Sequence, residues 1–345
     1  MSKPKVLVAP YRLNNSTHPE LMRLKAAGLD LVFNANGRNF TPDELARALD
    51  GCIGTVAGAE KYIEPVFEAA KELKVIARLG VDWDAVDVDA ATRHGVVLAM
   101  AFGSNHESVA DLAFSLMGAL MTRLFTYHPQ IAGGGWQAQT HDSLWKSTIG
   151  IIGIGRIGKA VVRRAKAFEM RILVDDVKPD LAFVKANGLE LVDKDTIFRE
   201  SDIVTLHCSA NAETADLINA RTLGLMKPGA FLINAARGSM VDEQALAEAL
   251  ESGRIAGAGL DVFKKEPPVG SPLLTAKNAI FTPHAAGGNK RAFDAALTIS
   301  VDNVLAVAGG GRPREDLVVN PEVWQRPRHT YSPVGNIDDI RCQEE

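Results

Sequence analysis

The chain has 345 residues, of which 46% are hydrophobic and 23% are charged. This balance is typical of a globular protein with buried cores, and it argues against a disordered or membrane-embedded chain. The 38 lysines and arginines and 42 aspartates and glutamates give a net charge of -4, so the chain lacks the basic surface that nucleic-acid binding requires.

The length exceeds what one hydrophobic core ordinarily supports, so we predict two domains. Cys52, Cys208 and Cys342 lie far apart and lack the close spacing of zinc or redox sites, which suits a reducing cytoplasm. The first apolar run ends at Pro10, too early for a signal peptide, and no run approaches the roughly 20 residues that cross a bilayer. We expect a cytoplasmic protein with no metal site and no membrane or nucleic-acid partner.

Short runs of valine, isoleucine and leucine alternate along the chain with amphipathic stretches at helical spacing. This is the pattern of parallel strands joined by crossover helices, so we predict an α/β fold. The strand candidates in the first third of the chain are residues 6–8, 31–33, 75–77 and 96–99.

The middle of the chain begins with a mostly apolar stretch, residues 108–124, which lacks the polar face of a surface helix and is expected to be buried at a domain or subunit interface. Three glycines, 133–135, then break the chain, and residues 136–145 have no regular period. Six further strand candidates follow, enough for one doubly wound sheet. They are residues 149–152, 171–174, 203–206, 231–234, 257–261 and 280–282.

The last regular element is a helical stretch over residues 291–308, which ends in three glycines. We expect it to lead back to the first domain. The tail from Trp324 onwards is polar and has no convincing period, so its role is left open.

Residues 153–158 read Gly-Ile-Gly-Arg-Ile-Gly between a strand candidate and a helical stretch. In this context Gly153 permits the tight turn, Gly155 lets the backbone approach a pyrophosphate, and Gly158 allows the helix to pack closely on the strand. The phosphates are expected at the helix N-terminus. The segment therefore predicts a site for the adenosine-diphosphate half of a nicotinamide dinucleotide.

An acidic residue about 20 residues further on binds the ribose hydroxyls in such sites, and Asp175 and Asp176 lie there. A carboxylate repels a 2′-phosphate, so we predict NAD rather than NADP, although Lys178 nearby favours NADP. The alternative is a glycine-rich turn that binds nothing. The combination of strand, helix and acidic residue argues against it.

The last three strand candidates each end in a polar cluster, at residues 234–238, 261–267 and 282–284. Ligands bind doubly wound sheets at the carboxyl ends of the strands. The clusters supply an arginine, a carboxylate and an imidazole in succession. Each of these residue types alone is more often a surface or structural residue.

Through its GxGxxG segment and residues 234–238, 259–267 and 282–287, the chain resembles the D-isomer-specific 2-hydroxyacid dehydrogenases, which include phosphoglycerate dehydrogenase, glyoxylate reductase and D-lactate dehydrogenase. The likeness runs from the first strand to about Arg312. It implies two Rossmann-like domains with doubly wound parallel sheets and a cleft between them. The implied limits are residues 1–102 plus 289–322 for a flavodoxin-like substrate-binding domain, 103–288 for the NAD-binding domain and 323–345 for an extension.

The resemblance implies that Arg237, Glu266 and His284 are catalytic. A guanidinium is planar and permanently charged, so Arg237 can hold the carboxylate and reacting oxygen of a 2-oxo acid. Histidine exchanges a proton with that oxygen near neutral pH, and a carboxylate on its other ring nitrogen fixes the tautomer. The predicted activity is the NAD-dependent interconversion of a small 2-oxo acid and its D-2-hydroxy acid, with His284 as acid and base.

The resemblance also assigns contacts with the cofactor. Asp261 matches the residue that contacts the nicotinamide carboxamide, the alternative being a turn cap. Cys208 falls in the segment that covers the adenine and is expected to be a wall of the pocket rather than a nucleophile. The full predicted set is Val109, Gly153, Gly155, Arg156, Ile157, Gly158, Asp176, Cys208, Thr214, Ala235, Ala236, Arg237, Asp261 and Gly287.

The predicted substrate contacts are Arg237 and the loop Leu79, Gly80 and Val81, which resembles the family loop whose N–H groups hold the substrate carboxylate. Asp82 replaces the usual second glycine of this loop. Aspartate adopts positive φ more readily than most residues, so we expect the loop shape to survive, with the new charge oriented away from the substrate. Residues 57–60 lack the arginines that bind the substrate phosphate in similar phosphoglycerate dehydrogenases, which argues against 3-phosphoglycerate.

Two other functions stay open at this point. An NAD(H)-sensing regulatory protein would resemble the C-terminal-binding corepressors, with the tail as a docking segment, but an intact acid–base set argues against it. Formate or phosphite oxidation is the other, although similar formate dehydrogenases carry glutamine in place of Glu266. The apolar stretch 108–124 and Trp136 resemble the family's dimerisation arm, so we predict a homodimer.

Overall fold

The computed structural model describes residues 3–325, so most of the predicted C-terminal extension, residues 326–345, lies outside the described residues. The chain divides into two compact units. Of the described residues, the first unit comprises 3–105 and 290–325, and the second comprises His106–Asn289. Each unit contains one parallel sheet with helices on both faces, which confirms the predicted α/β class with two doubly wound sheets.

The strands form a five-stranded sheet, in the order β2-β1-β3-β4-β5, and a seven-stranded sheet, in the order β12-β11-β10-β9-β6-β7-β8. All pairings within both sheets are parallel. The strands are β1 (Lys5–Val8), β2 (Asp30–Phe33), β3 (Cys52–Ala57), β4 (Val75–Arg78), β5 (Val97–Met100), β6 (Thr148–Ile152), β7 (Arg171–Asp175), β8 (Glu190–Leu191), β9 (Ile203–Leu206), β10 (Phe231–Asn234), β11 (Gly257–Leu260) and β12 (Ala279–Phe281).

The crossover connections between strands are mostly short helices that begin at side-chain caps. In one of them, the Thr41 hydroxyl accepts a hydrogen bond from the Glu44 N–H, and the Glu44 carboxylate accepts one from the Thr41 N–H. The helices are α1 (Pro19–Ala26), α2 (Pro42–Ala48), α3 (Glu64–Ala69), α4 (Val88–Arg93), α5 (His106–Met121), α6 (Leu124–Ala132), α7 (Arg156–Ala167), α8 (Leu181–Asn187), α9 (Lys194–Glu200), α10 (Ala220–Leu225), α11 (Glu243–Glu251) and α12 (Lys290–Ala308).

The predicted apolar helix over residues 108–124 is shorter at its C-terminus than expected. Helix α5 ends at Met121, Arg123 adopts a left-handed conformation with φ of 54°, and α6 then begins at Leu124. The predicted burial of this helix is confirmed, because α5 packs on α7, β10 and β11 of its own unit, whereas its place at a domain or subunit interface stays a prediction. No single helix among residues 3–325 is long and apolar enough to span a membrane; α5 and α6 pass that test only as a pair bent by 62°.

The topology of the second sheet locates its ligand-binding edge. Strand β6 lies between β7 and β9, so the chain leaves β6 in one direction and later returns to its other side. In doubly wound sheets the crevice at such a switch point, outside the carboxyl ends of the strands, is where ligands bind. Because every strand is parallel, the loops that follow β6, β7, β9, β10, β11 and β12 all lie along this edge.

Candidate active site

The loop between β6 and α7 is shaped by glycines with different roles. Gly153 has a φ of 96°, and a Cβ there would lie 2.5 Å from the backbone nitrogen of Cys208. A Cβ on Gly158 would collide with the carbonyl group of Gly153. Both positions therefore require glycine for packing alone.

Gly155 differs from these two glycines, because a Cβ at this position would meet no atom within 4 Å. It is the N-cap residue of α7, has a φ of -67°, and has no side chain that could cap the helix. Glycine is thus not needed here by the fold. A helix N-terminus favours a bound pyrophosphate, to which Gly155 permits close approach.

The two aspartates after β7 have different partners. The Asp176 carboxylate accepts hydrogen bonds from the Ile154 N–H and the Lys178 N–H, both at 2.8 Å, which anchors it at the rim of the glycine loop. The Asp175 carboxylate forms an ion pair with Lys194 at 2.9 Å. Asp176 is therefore the carboxylate at the glycine loop, where the sequence predicted the ribose contact.

The segment after β9 lies against the glycine loop through the contact of Gly153 with Cys208. Burial raises the pKa of the Cys208 thiol, so it is a neutral thiol at pH 7, which fits a pocket wall and not a nucleophile. The Thr214 hydroxyl donates to the carbonyl oxygen of Ser209 at 2.9 Å and closes the turn that follows. The buried His207, which the sequence did not single out, contacts Thr205 at 2.8 Å through Nε2.

An apolar cluster beside the glycine loop contains predicted cofactor contacts from three distant segments. Val109, Ala235 and Ala286 are buried together, and Ile157 packs against them. Gly287 follows Ala286 directly. Arg156 is exposed in the first turn of α7.

The loop after β10 is fixed by Asn234, which is fully buried. Its amide donates to the Arg237 carbonyl oxygen at 2.9 Å and accepts from the Ala236 N–H at 3.0 Å. A Cβ on the next residue, Gly238, would overlap the backbone of Phe263, so the loops after β10 and β11 touch. This close approach places Arg237 beside the loop that carries Glu266.

Glu266 and His284 form a hydrogen-bonded pair. The Glu266 Oε2 atom lies 2.7 Å from Nδ1 of His284, while Oε1 accepts a hydrogen bond from the Phe263 N–H at 3.1 Å. The side chains are 47% exposed for His284 and 38% exposed for Glu266, so the pair is accessible to a small molecule. A pocket of about 410 Å³ with mainly apolar walls opens beside it. The Glu266 carboxylate contacts the His284 ring at Nδ1, so Nε2 on the other side of the ring is left for a reacting group.

The predicted substrate loop belongs to the first unit and is tied to neighbouring strand ends. The Leu79 N–H donates to the carbonyl oxygen of Ala57 at 2.8 Å, and the Gly80 carbonyl oxygen accepts from the Ala101 N–H at 2.9 Å. Val81 is partly buried. Asp82 does not use the tolerance of aspartate for positive φ, because this residue is not in the left-handed region.

Asp82 is accommodated by a neighbouring charge instead. Its carboxylate pairs with the Arg78 guanidinium at 3.0 Å, and that guanidinium also donates to the Gly58 carbonyl oxygen. Glu60 is buried and accepts from the Gly58 N–H at 2.7 Å. Burial raises the pKa of the Glu60 carboxyl above its ordinary value, and the nearby Arg78 offsets only part of this effect. Two nitrogens of the Arg78 guanidinium are therefore held by internal partners, whereas its buried Nε has none among the described residues.

No group of three or more histidine, cysteine, aspartate or glutamate side chains among residues 3–325 is arranged to hold a metal ion.

Comparison with known proteins identifies the class to which this arrangement belongs. Residues 114–286 match the model of the D-isomer specific 2-hydroxyacid dehydrogenase family, NAD binding domain. The chain belongs to this family, and its cofactor is NAD, as the sequence resemblance predicted.

Individual relatives carry two different enzyme names. The chain is 37% identical to D-3-phosphoglycerate dehydrogenase of Methanocaldococcus jannaschii, over 83% of this chain and 55% of that protein. It is 39% identical to glyoxylate reductase of Korarchaeum cryptofilum, over 75% of this chain and 79% of that protein. The chain thus spans about half the length of the first relative and most of the second.

Among solved structures, the TT0316 protein of Thermus thermophilus superimposes with a TM-score of 0.81 and 33% identity, covering 92% of this chain and 99% of that one.

Proposed function

We propose that this chain catalyses the NAD-dependent interconversion of a small 2-oxo acid and its D-2-hydroxy acid. The observation that carries the proposal is the Glu266–His284 pair on the sheet edge that also holds the glycine loop at the N-terminus of α7. NAD, when bound, supplies or accepts the hydride. His284 gives a proton from Nε2 to the carbonyl oxygen in reduction and takes it back in oxidation.

The other residues of the site support this proton transfer. Glu266 binds Nδ1 of the ring and thereby fixes its orientation and tautomer. Arg237, next to the Glu266 loop, is proposed to hold the substrate carboxylate and polarise its 2-oxo group. In the first unit, the N–H groups of Gly80 and Val81 are proposed to bind a substrate carboxylate, because the Leu79 N–H already donates to the Ala57 carbonyl oxygen.

The test is the oxidation of NADH by the purified chain with glyoxylate, hydroxypyruvate, pyruvate and longer 2-oxo acids, followed by absorbance. Turnover of at least one acid, lost in the His284→Asn variant, is the expected result. If the protein demonstrably binds NADH but reduces none of these acids, the proposed dehydrogenase activity is rejected and a sensing role is favoured.

We further propose that the substrate carries no second anionic group. Arg78 is held by Gly58 and Asp82, Glu60 is buried beside it, and Asp82 and Asp84 add negative charge to the loop. A phosphate or second carboxylate close to this loop would therefore meet carboxylates and a guanidinium of which two nitrogens already have partners. Of the two activities named among the relatives, this favours one resembling glyoxylate reductase.

The proposal also assigns cofactor binding and substrate binding to different parts of the chain. We propose that residues 103–288 bind NAD and that residues 1–102 with 289–322 bind the substrate.

Cys52 and Cys208 are free thiols, which suits a cytoplasmic location.

We propose a homodimer, because the segment from α6 to β6 exposes large apolar side chains: Leu124 is 60% exposed, Ile131 51%, Trp136 91% and Trp145 59%. Elution as a dimer in size-exclusion chromatography is expected. Monomeric elution at micromolar concentration would contradict this.

A further inference from the structure

Asp261, the residue that follows β11, is only 1% exposed and is surrounded by hydrogen-bond donors from one loop. Its Oδ1 atom accepts from the Thr282 hydroxyl at 2.5 Å and from the Ala285 N–H at 2.8 Å. Its Oδ2 atom accepts from the Ala286 N–H at 3.0 Å. Three donors of the loop after β12 therefore converge on one buried carboxylate.

The main chain of Asp261 holds the same loop. Its carbonyl oxygen accepts a hydrogen bond from the His284 N–H at 2.8 Å. His284 itself has a φ of 53°, a left-handed conformation that a residue with a side chain adopts only where its surroundings impose it. The four hydrogen bonds to Asp261 therefore hold this strained residue itself and neighbouring residues on both sides of it.

The chemistry of the donors explains why the residue is an aspartate. An ionised carboxylate is an acceptor at both oxygens, and hydrogen bonds to it are stronger than neutral ones. An asparagine would present an amide N–H₂ to at least one of the three donors, leaving two donors facing each other in a buried site. The geometry thus requires a carboxylate.

We propose that Asp261 is a positioning residue for His284, which sets the backbone of the loop so that the imidazole meets Glu266. This differs from the sequence expectation, in which Asp261 contacts the nicotinamide carboxamide. Three of the lone-pair directions of the carboxylate are directed at the loop. For its effect on turnover the inference rests on the proposed function, whereas the geometry it assigns to His284 does not.

The experiment compares wild type with Asp261→Asn by three measurements: kcat at saturating NADH, the dissociation constant of NADH, and the NMR signal of the His284 Nδ1 proton. That signal is shifted downfield when the ring is hydrogen-bonded to a carboxylate, and the His284→Asn variant assigns it. We expect kcat to fall by roughly 100-fold, the effect of a displacement of about 1 Å. We expect NADH affinity to stay unchanged and the downfield signal to be lost.

Two further variants keep the result interpretable if Asp261→Asn folds poorly. Thr282→Val removes one of the three donors and should weaken both kcat and the Nδ1 signal, whereas Thr282→Ser keeps the hydroxyl and should restore them. Asp242→Asn is the matched control, because this carboxylate caps α11 in the same unit without contacting the loop after β12. It should leave the Nδ1 signal intact.

The opposite result would overturn the inference. A weakened affinity for NADH in Asp261→Asn, with kcat and the Nδ1 signal retained, would make Asp261 a nicotinamide contact and not a positioning residue. If wild type reduces no 2-oxo acid, the proposed function fails, but the NMR comparison still decides whether Asp261 positions His284.

Discussion

His284 Nδ1 lies 2.7 Å from Glu266 Oε2, and the second oxygen of this carboxylate is held by the backbone N–H of Phe263. The first prediction concerns the ring. His284→Asn removes the proton donor but leaves the glycine loop intact, so kcat should fall by about 10²–10⁴-fold, the usual contribution of a general acid or base. NADH binding, measured by fluorescence, should persist. Retained turnover would exclude His284 as the acid.

The second prediction concerns the carboxylate. Glu266→Gln keeps the shape of the side chain but replaces the carboxylate oxygen that faces His284 Nδ1 by an amide, so the ring is held less firmly and kcat should fall. Glu243→Gln is the matched control, because Glu243 binds the Lys264 N–H and Ser271 of the same loop without contacting His284. If both variants lower kcat equally, the effect belongs to the loop and not to the pair.

The third prediction concerns the cofactor. Asp176→Asn removes the negative charge at the rim of the glycine loop, so kcat/KM for NADPH relative to NADH should rise by roughly tenfold or more, the equivalent of about 1.4 kcal/mol. Asp175→Asn is the control, since Asp175 pairs with Lys194. Equal use of NADPH and NADH by wild type would show that Asp176 does not select NAD.

Most strands of both sheets were predictable because a strand covered on both faces needs an almost continuous apolar run. β3 was missed because Gly54 and Thr55 interrupt its run. The space at this glycine is tight, since a Cβ there would lie 3.0 Å from the Val75 side chain, which would have to shift. β8 consists of two exposed residues and carries no apolar signal.

Helix ends and side-chain partners were less predictable. The break between α5 and α6 falls at Arg123, with neither glycine nor proline to mark it, so the predicted helix ran too far. The residue types of the site followed from the sequence, because each strand end carries its own polar cluster. The partners of Asp82 and Asp261 did not follow, since they are set by loops that fold against each other in space.

The fourth prediction concerns substrate choice. Asp82→Gly restores the glycine that the resembling loop carries and frees the Arg78 guanidinium from its 3.0 Å ion pair. Wild type should reduce hydroxypyruvate far better than its 3-phosphorylated form, and the variant should lower the ratio of these two activities. The control is Asp30→Asn, which changes an exposed carboxylate at the start of β2, at the opposite edge of the sheet. This control should leave the ratio unchanged. Preference of wild type for the phosphorylated acid would contradict the proposed substrate class without affecting the dehydrogenase assignment.

The fifth prediction concerns stability against acid. Burial lowers the pKa of His207 from 6.5 to about 3, and its Nδ1 atom has no hydrogen-bond partner. Below pH 6.5 the unfolded chain therefore takes up a proton at this site that the folded chain does not, so the free energy of unfolding should fall as the pH falls towards 3.

This loss can amount to about 1.4 kcal/mol per pH unit for one proton. His207→Gln keeps a polar group for Thr205 but cannot titrate. The free energy of unfolding of this variant, relative to that of wild type, should therefore rise as the pH is lowered. Urea unfolding of both proteins across this range, followed by a probe in the second unit, gives the difference directly. A constant difference would mean that His207 is protonated as readily in the fold as outside it, which its buried position should prevent.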